Sequence, residues 1–173
     1  VTFKQMDKIT IGAIVDNKVF DLNTLDHNIP SNMIDYIEDL DDNLLKSKKA
    51  IQNSNGIDIS EVSLLSPILN PPSVKDGYAF RQHVSTARRN RGLEMIPEFD
   101  EIPIFYFTNH HAIFGEGNFP VLNDHLDKLD FELECAAVIG KKGRNISASE
   151  ADNYIAGFMI MNDLSARGLQ MKE

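Results

Sequence analysis

Two glutamates, Glu132 and Glu134, sit one residue apart in the segment Asp130-Phe131-Glu132-Leu133-Glu134-Cys135-Ala136-Ala137-Val138-Ile139-Gly140. Alternate side chains of a strand leave opposite faces of a sheet, so this pair projects together while Phe131, Leu133, Cys135, Ala137 and Ile139 line the other face. Neighbouring carboxylates repel unless they face water or a cation bridges them. An isolated pair of this kind is most often an exposed strand edge. Two more carboxylates change the weighing: Asp163 closes the apolar run Phe158-Met159-Ile160-Met161, and Asp76 stands just before a helical pattern, where alone it would suit a cap. Asp76, Glu132, Glu134 and Asp163 together make an all-oxygen set suited to Mg²⁺, Mn²⁺ or Ca²⁺ rather than to a softer metal. Their charge exceeds that of one divalent ion, so such a site attracts metal strongly and can share it with a chelating anionic substrate.

The elements that must position these groups follow from periodicity. Ile9–Val15, a turn near Asp16-Asn17, and Val19–Leu22 read as a β-hairpin. A helix is expected from Ser31, its cap, with Met33, Ile34, Ile37, Leu40, Leu44 and Ala50-Ile51 on a buried stripe and a break near Asp41-Asp42. Val62–Pro67 reads as a short strand running into Asn70-Pro71-Pro72-Ser73, where a domain boundary is placed. A small α+β domain over 1–66 would then precede a second domain over 67–173. Phe80, Val84 and Ala87 predict a helix over Tyr78 to about Asn90, ending at Arg91-Gly92, and Ile102–Thr108 predicts a strand. On that helix His83 alone reads as a packed or surface residue. Ser147 and Glu150 form a capping-box pattern, and a strand is expected over Phe158–Met161.

Composition excludes several classes. The chain has 173 residues and a formal net charge of −9, which disfavours nucleic acid despite the local cluster Arg81, Arg88, Arg89 and Arg91. No apolar run reaches the roughly 20 residues needed to span a bilayer, and no signal-peptide pattern opens the sequence, so a cytoplasmic location without membrane partners is the default. Cys135 is the single cysteine and cannot form an internal disulfide, in keeping with a reducing compartment; its place on the apolar face predicts a core residue. Gly115-x-Gly117 lacks the third glycine and the strand-to-helix context of a dinucleotide site. The adjacent His110 and His111 cannot both reach one metal from a regular strand, and neither zinc-type spacing nor a G-x-S-x-G elbow is present.

Four segments carry a resemblance to a known family: Lys75-Asp76-Gly77-Tyr78-Ala79-Phe80-Arg81-Gln82-His83, Ile102–Tyr106, Leu129–Glu134, and Gly157–Arg167. In order and spacing they resemble the fumarylacetoacetate hydrolase family over about residues 64 to 173, and the N-terminal hairpin resembles the smaller, variable domain of bacterial members. The resemblance implies an α+β, mainly β fold: a rolled β-sandwich preceded by a small N-terminal α+β domain. It implies that Asp76, Glu132, Glu134 and Asp163 bind Mg²⁺, Mn²⁺ or Ca²⁺, that His83 is a general base on water, and that Arg91, Tyr106 and Gln170 contact substrate.

The activity implied is hydrolysis of a C–C bond in a small 1,3-diketo or acylpyruvate-type acid, with the ion as Lewis acid and an ordinary His pKa of about 6.5 suiting a base at neutral pH. The same metal chemistry serves a decarboxylase, isomerase or hydratase of a 2-oxo acid. A homodimer and a place in aromatic-compound catabolism are also implied. Two departures from the pattern stand out: Gly168 replaces the aspartate common after Ser-Ala-Arg, and the family's downstream active-site groups lie beyond Glu173. A fragment of a longer enzyme is therefore expected; a chain truly ending there would be a silent metal-binding or dimerisation module.

Overall fold

The N-terminal alternation of apolar and polar residues builds an antiparallel sheet. In the computed structural model, which describes residues 1–170 and 172, β1 (Thr2–Gln5), β2 (Lys8–Val15), β3 (Lys18–Asp21), β4 (Ile57–Asp58) and β5 (Ser63–Leu65) stand in the order β4-β3-β2-β1-β5. The expected hairpin is β2 with β3, Ala13 opposite Phe20, and its turn places Asp16 at a left-handed φ of 52°. Strand β5 lies against β1 with Leu64 opposite Phe3. Contacts divide the chain into two compact units, residues 1–68 with 114–173 and residues 69–113.

Three helices cover this sheet's inner residues. Asp21 caps α1 (Leu22–Leu25), its Oδ1 accepting from the Thr24 N–H at 3.0 Å. Helix α2 (Met33–Glu38) starts from Asn32 rather than Ser31, because the Asn32 Oδ1 reaches the Asp35 N–H at 3.0 Å. The break before α3 (Leu40–Ile51) falls at Asp39, earlier than Asp41-Asp42. Ile11, Leu22, Ile29 and Tyr36 form the core.

The predicted helical stripe is only partly inward: Ile34 and Leu44 are exposed, whereas Asn43 and Ser47 are buried. The polar groups of Tyr36 draw them in. Asn43 Nδ2 donates to the Tyr36 carbonyl at 2.9 Å, and Ser47 Oγ donates to the Asn43 carbonyl at 2.7 Å. The single Ser47 hydroxyl proton is thereby used, so the Tyr36 hydroxyl donates to Ser47 Oγ across 2.9 Å.

In the 69–113 unit, β6 (Lys75–Gly77) pairs antiparallel with β7 (Phe105–Phe107). The ribbon continues through the Tyr78 N–H to Ile104 carbonyl bond of 3.1 Å, which holds Tyr78 extended and delays α4 (Arg81–Asn90) to Arg81. Val84 is buried beneath that helix, but Phe80 is its exposed N-cap rather than part of the packed side. As expected the helix ends at Gly92, whose φ of 70° suits glycine. A short helix, α5 (Glu98–Glu101), follows Pro97 and takes up residues just before the expected strand, so β7 begins at Phe105 rather than Ile102.

The longest strands, β8 (Leu129–Ile139) and β9 (Ile155–Ala166), form an antiparallel hairpin in the larger unit, followed by α6 (Arg167–Gln170). Its two faces reverse the expected burial. Leu133 and Ile160 are 71% and 75% exposed, and Cys135 is exposed with them rather than in a core. The inward face carries Glu132, Glu134, Ala136, Val138, Met159, Met161 and Asp163, all half-buried. Close backbone approach fixes the hairpin's base: a Cβ on Gly140 would fall 2.8 Å from Ala156 Cβ and 3.1 Å from Ile37 Cγ2.

Between the two strands, Ser147 begins a 3-10 helix over Ala148–Tyr154 without capping an amide through its side chain. Its Oγ donates instead to Glu150 Oε2 at 3.0 Å, so the reciprocal capping box does not form. Among the described residues no helix is long and apolar enough to cross a membrane.

Candidate metal centre

Pairing of β8 with β9 sets the carboxylates. Glu132 lies opposite Asp163, and Glu134 lies opposite Met161, one pleat repeat further along. Cross-strand and diagonal neighbours on one face are within reach of long side chains. Glu134 and Asp163 each bring a carboxylate oxygen within 4.8 Å of the other, and both are half-buried. Two oxygens on opposite sides of one ion, at roughly 2.0–2.6 Å each, stand about 4–5 Å apart, so donor type and spacing both fit a hard divalent cation.

Glu132 is held differently. Its Oε1 accepts from Arg167 Nη2 at 2.6 Å. The same guanidinium donates from Nε to Asp130 Oδ2 at 3.2 Å and from Nη1 to Gln170 Oε1 at 3.0 Å. The bond to Glu132, ahead of that to Asp130, pushes the Arg167 pKa up. Asp130 is held below the usual carboxylate range, first by the Phe131 N–H and then by Arg167. Gln170, expected to contact substrate, is exposed on α6 and tied to this arginine.

The remaining expected residues lie in the 69–113 unit. Asp76 stands on β6, not at a helix cap, and is half-buried; its Oδ2 accepts from the Tyr106 hydroxyl at 2.8 Å, the two residues being register partners. Tyr106 is itself 50% exposed. His83 sits exposed on the first turn of α4, on an open surface with Ala79, Phe80, Gln82 and Thr86. Arg91 caps the far end of that helix and borders a small pocket with Tyr78, Val84, Ala87, Leu93 and Ile104. One unit thus brings Glu134 to Asp163 and Glu132 to Arg167; the other brings Asp76 to Tyr106.

Arg167 and Asp130 are the residues that sequence reasoning left without a role. Both stand in segments already singled out, and a signal existed. A basic residue just past β9 meets the start of β8 once the strands pair antiparallel, since Leu129 lies opposite Ala166.

Residues 73–173 match the sequence profile described as fumarylacetoacetate (FAA) hydrolase C-terminal. The fumarylacetoacetate hydrolase domain-containing protein 2 homolog of Dictyostelium discoideum is 30% identical over 166 residues, 94% of this chain and 52% of that protein. Oxaloacetate tautomerase fahd2, mitochondrial, of Xenopus laevis is 31% identical over 157 residues, 90% of this chain and 47% of that protein. Among solved structures, a putative HpcE protein from Mycobacterium smegmatis superposes with a TM-score of 0.71 at 22% identity, covering 98% of this chain and 56% of that one. Maleylpyruvate hydrolase from Sphingobium sp. SYK-6, in complex with manganese(II) and pyruvate, superposes with a TM-score of 0.69 at 18% identity, covering 95% of this chain and 58% of that one. The chain spans about half the length of the curated relatives it matches.

Proposed function

The chain belongs to the fumarylacetoacetate hydrolase family, and from that premise we propose that it is part of a divalent-metal enzyme that hydrolyses a C–C bond in a small 1,3-diketo or acylpyruvate-type acid. The observation that carries this reading is the pair Glu134 and Asp163, two half-buried carboxylates converging from partnered strands. In the proposal Asp76 and Glu132 complete the ligand set for Mg²⁺, Mn²⁺ or Ca²⁺, and Mn²⁺ gains support from the manganese in the maleylpyruvate hydrolase structure. When bound, the ion supplies Lewis-acid stabilisation of negative charge developing on substrate oxygens.

The chain's own groups do the rest. Tyr106 fixes the Asp76 carboxylate through its hydroxyl. A ring nitrogen of His83 accepts a proton from water, whose oxygen bonds to the keto carbon. The adjacent C–C bond breaks, its electron pair leaves with the departing fragment, and that fragment takes up a proton. Arg91, Tyr106 and Gln170 contact the substrate, the guanidinium and the amide offering donors to its carboxylate and keto oxygens.

The rolled β-sandwich, the division into 1–66 and 67–173, the homodimer, the cytoplasmic location and a place in aromatic-compound catabolism belong to the same proposal. The division is supported by the family match beginning at residue 73. A second reading has a specific support of its own: relatives named as oxaloacetate tautomerases favour keto–enol isomerisation of a 2-oxo diacid on the same groups.

Turnover of an acylpyruvate and of oxaloacetate enol, each with Mn²⁺ or with EDTA, separates the two. Metal-dependent loss of the acylpyruvate supports hydrolysis, and metal-dependent ketonisation alone supports the tautomerase. His83→Ala with undiminished turnover removes His83 from the mechanism. Inactivity of the intact protein on both substrates with Mn²⁺ and Mg²⁺ favours the silent module.

A further inference from the structure

The half-buried face of the β8–β9 hairpin sets like charges against each other, with Glu132 directly opposite Asp163 and Glu134 one pleat away. Like charges placed opposite in an antiparallel pair destabilise it, and partial burial reduces the screening that water would give. Arg167 is built into this face: its side chain is only 29% exposed, and Nη2 makes its 2.6 Å bond to Glu132. Asp130 and Gln170 engage Nε and Nη1, so the guanidinium plane is fixed by groups other than Glu132. A planar cation locked on three sides presents its charge at one place without further loss of side-chain freedom.

We infer that Arg167 is a positioning residue that acts as the counter-ion of Glu132 in the metal-free protein, a task the ion takes over on binding. This rests on the metal-centre reading above. The consequence is a separation of stabilities: Arg167 matters most to the metal-free protein and least to the loaded one. An arginine that only packed α6 against the hairpin would matter equally to both.

Thermal unfolding of the intact protein in EDTA and in saturating Mn²⁺ tests this. Wild type should melt higher with Mn²⁺. Arg167→Gln should melt lower than wild type in EDTA and close to it with Mn²⁺, so that the Mn²⁺-induced shift at least doubles. Arg167→Lys, which keeps the charge, should recover most of the loss in EDTA. Equal losses in the two conditions, or no loss in EDTA, would overturn the inference.

If Arg167→Gln does not fold in EDTA, refolding on Mn²⁺ addition or on adding Glu132→Gln supports the counter-ion role. Failure of both rescues overturns it. A wild type insensitive to Mn²⁺, Mg²⁺ and Ca²⁺ sinks the metal-centre reading and the hand-over with it. The comparison of Arg167→Gln with Arg167→Lys in EDTA then still decides the counter-ion role.

Discussion

The five-stranded sheet and the β8–β9 hairpin belong to one compact unit but place their apolar side chains oppositely. In the sheet Phe3, Ile11 and Val19 are sealed at 1%, 0% and 0% exposure. In the hairpin the large apolar residues look outward, and the inward face carries acids among small and flexible side chains. Stability is therefore concentrated in the N-terminal sheet, while the hairpin devotes its half-buried face to charge. Charge on that face is met by specific partners, as Arg167 meets Glu132, rather than by area removed from water.

That contrast can be broken experimentally. Phe3→Ala should cost about 3–5 kcal/mol, the range for emptying a sealed aromatic site, whereas Leu133→Ala on the exposed face should stay within about 0.5 kcal/mol; urea unfolding of both variants reads the difference, and similar losses would erase it. Glu134→Ala should do the reverse, weakening Mn²⁺ binding by more than roughly 100-fold, beyond the usual loss for an outer-shell change, without lowering the metal-free unfolding midpoint, since one like charge leaves the face. Calorimetric titration reads that affinity, and an unchanged value would remove Glu134 from the ligand set.

A fourth variant sharpens the comparison on the side of the five-stranded sheet and its helices. Asn43→Ala removes the buried donor to the Tyr36 carbonyl and should cost about 1–3 kcal/mol, the penalty of an orphaned polar group. The smallest effect belongs to the exposed rim. The Ser60 hydroxyl, then the Ser60 N–H and Lys18, hold Asp58 down to about 2. Its unfolded value is about 3.9, so the folded state binds fewer protons than the unfolded one between those values. Stability from this group is present above about pH 4 and lost as pH falls through about 2. Urea midpoints across that window should slope less in Asp58→Asn than in wild type.

Much of the fold was legible because local pattern and tertiary packing agree in it. The alternation around Ile11 and the turn at Asp16 gave β2 and β3 directly, and Gly92 marked the end of α4. The failures occur where a long-range partner decides. Nothing local distinguishes the exposed face of Leu133 and Cys135 from a buried one, since apolar alternation states which residues share a face and not what covers it. Asn43 looked like a solvated helix residue until Tyr36 supplied a carbonyl to bond.

The acids of the candidate site were named from residue type and proposed as a ligand set from the family resemblance, and the structure brings Glu134 and Asp163 together. Arg167 was not, because its meaning depends on β9 delivering it to the start of β8.

Cys135, the sole thiol of the chain, stands on the outward face of β8 across from Ile160. Its rate of alkylation is consequently a footprint of that face. A thiol reagent should modify it quickly wherever the surface is open and slowly wherever another segment or chain lies across it, giving one labelling clock for the coverage of the hairpin in any assembled form of the protein.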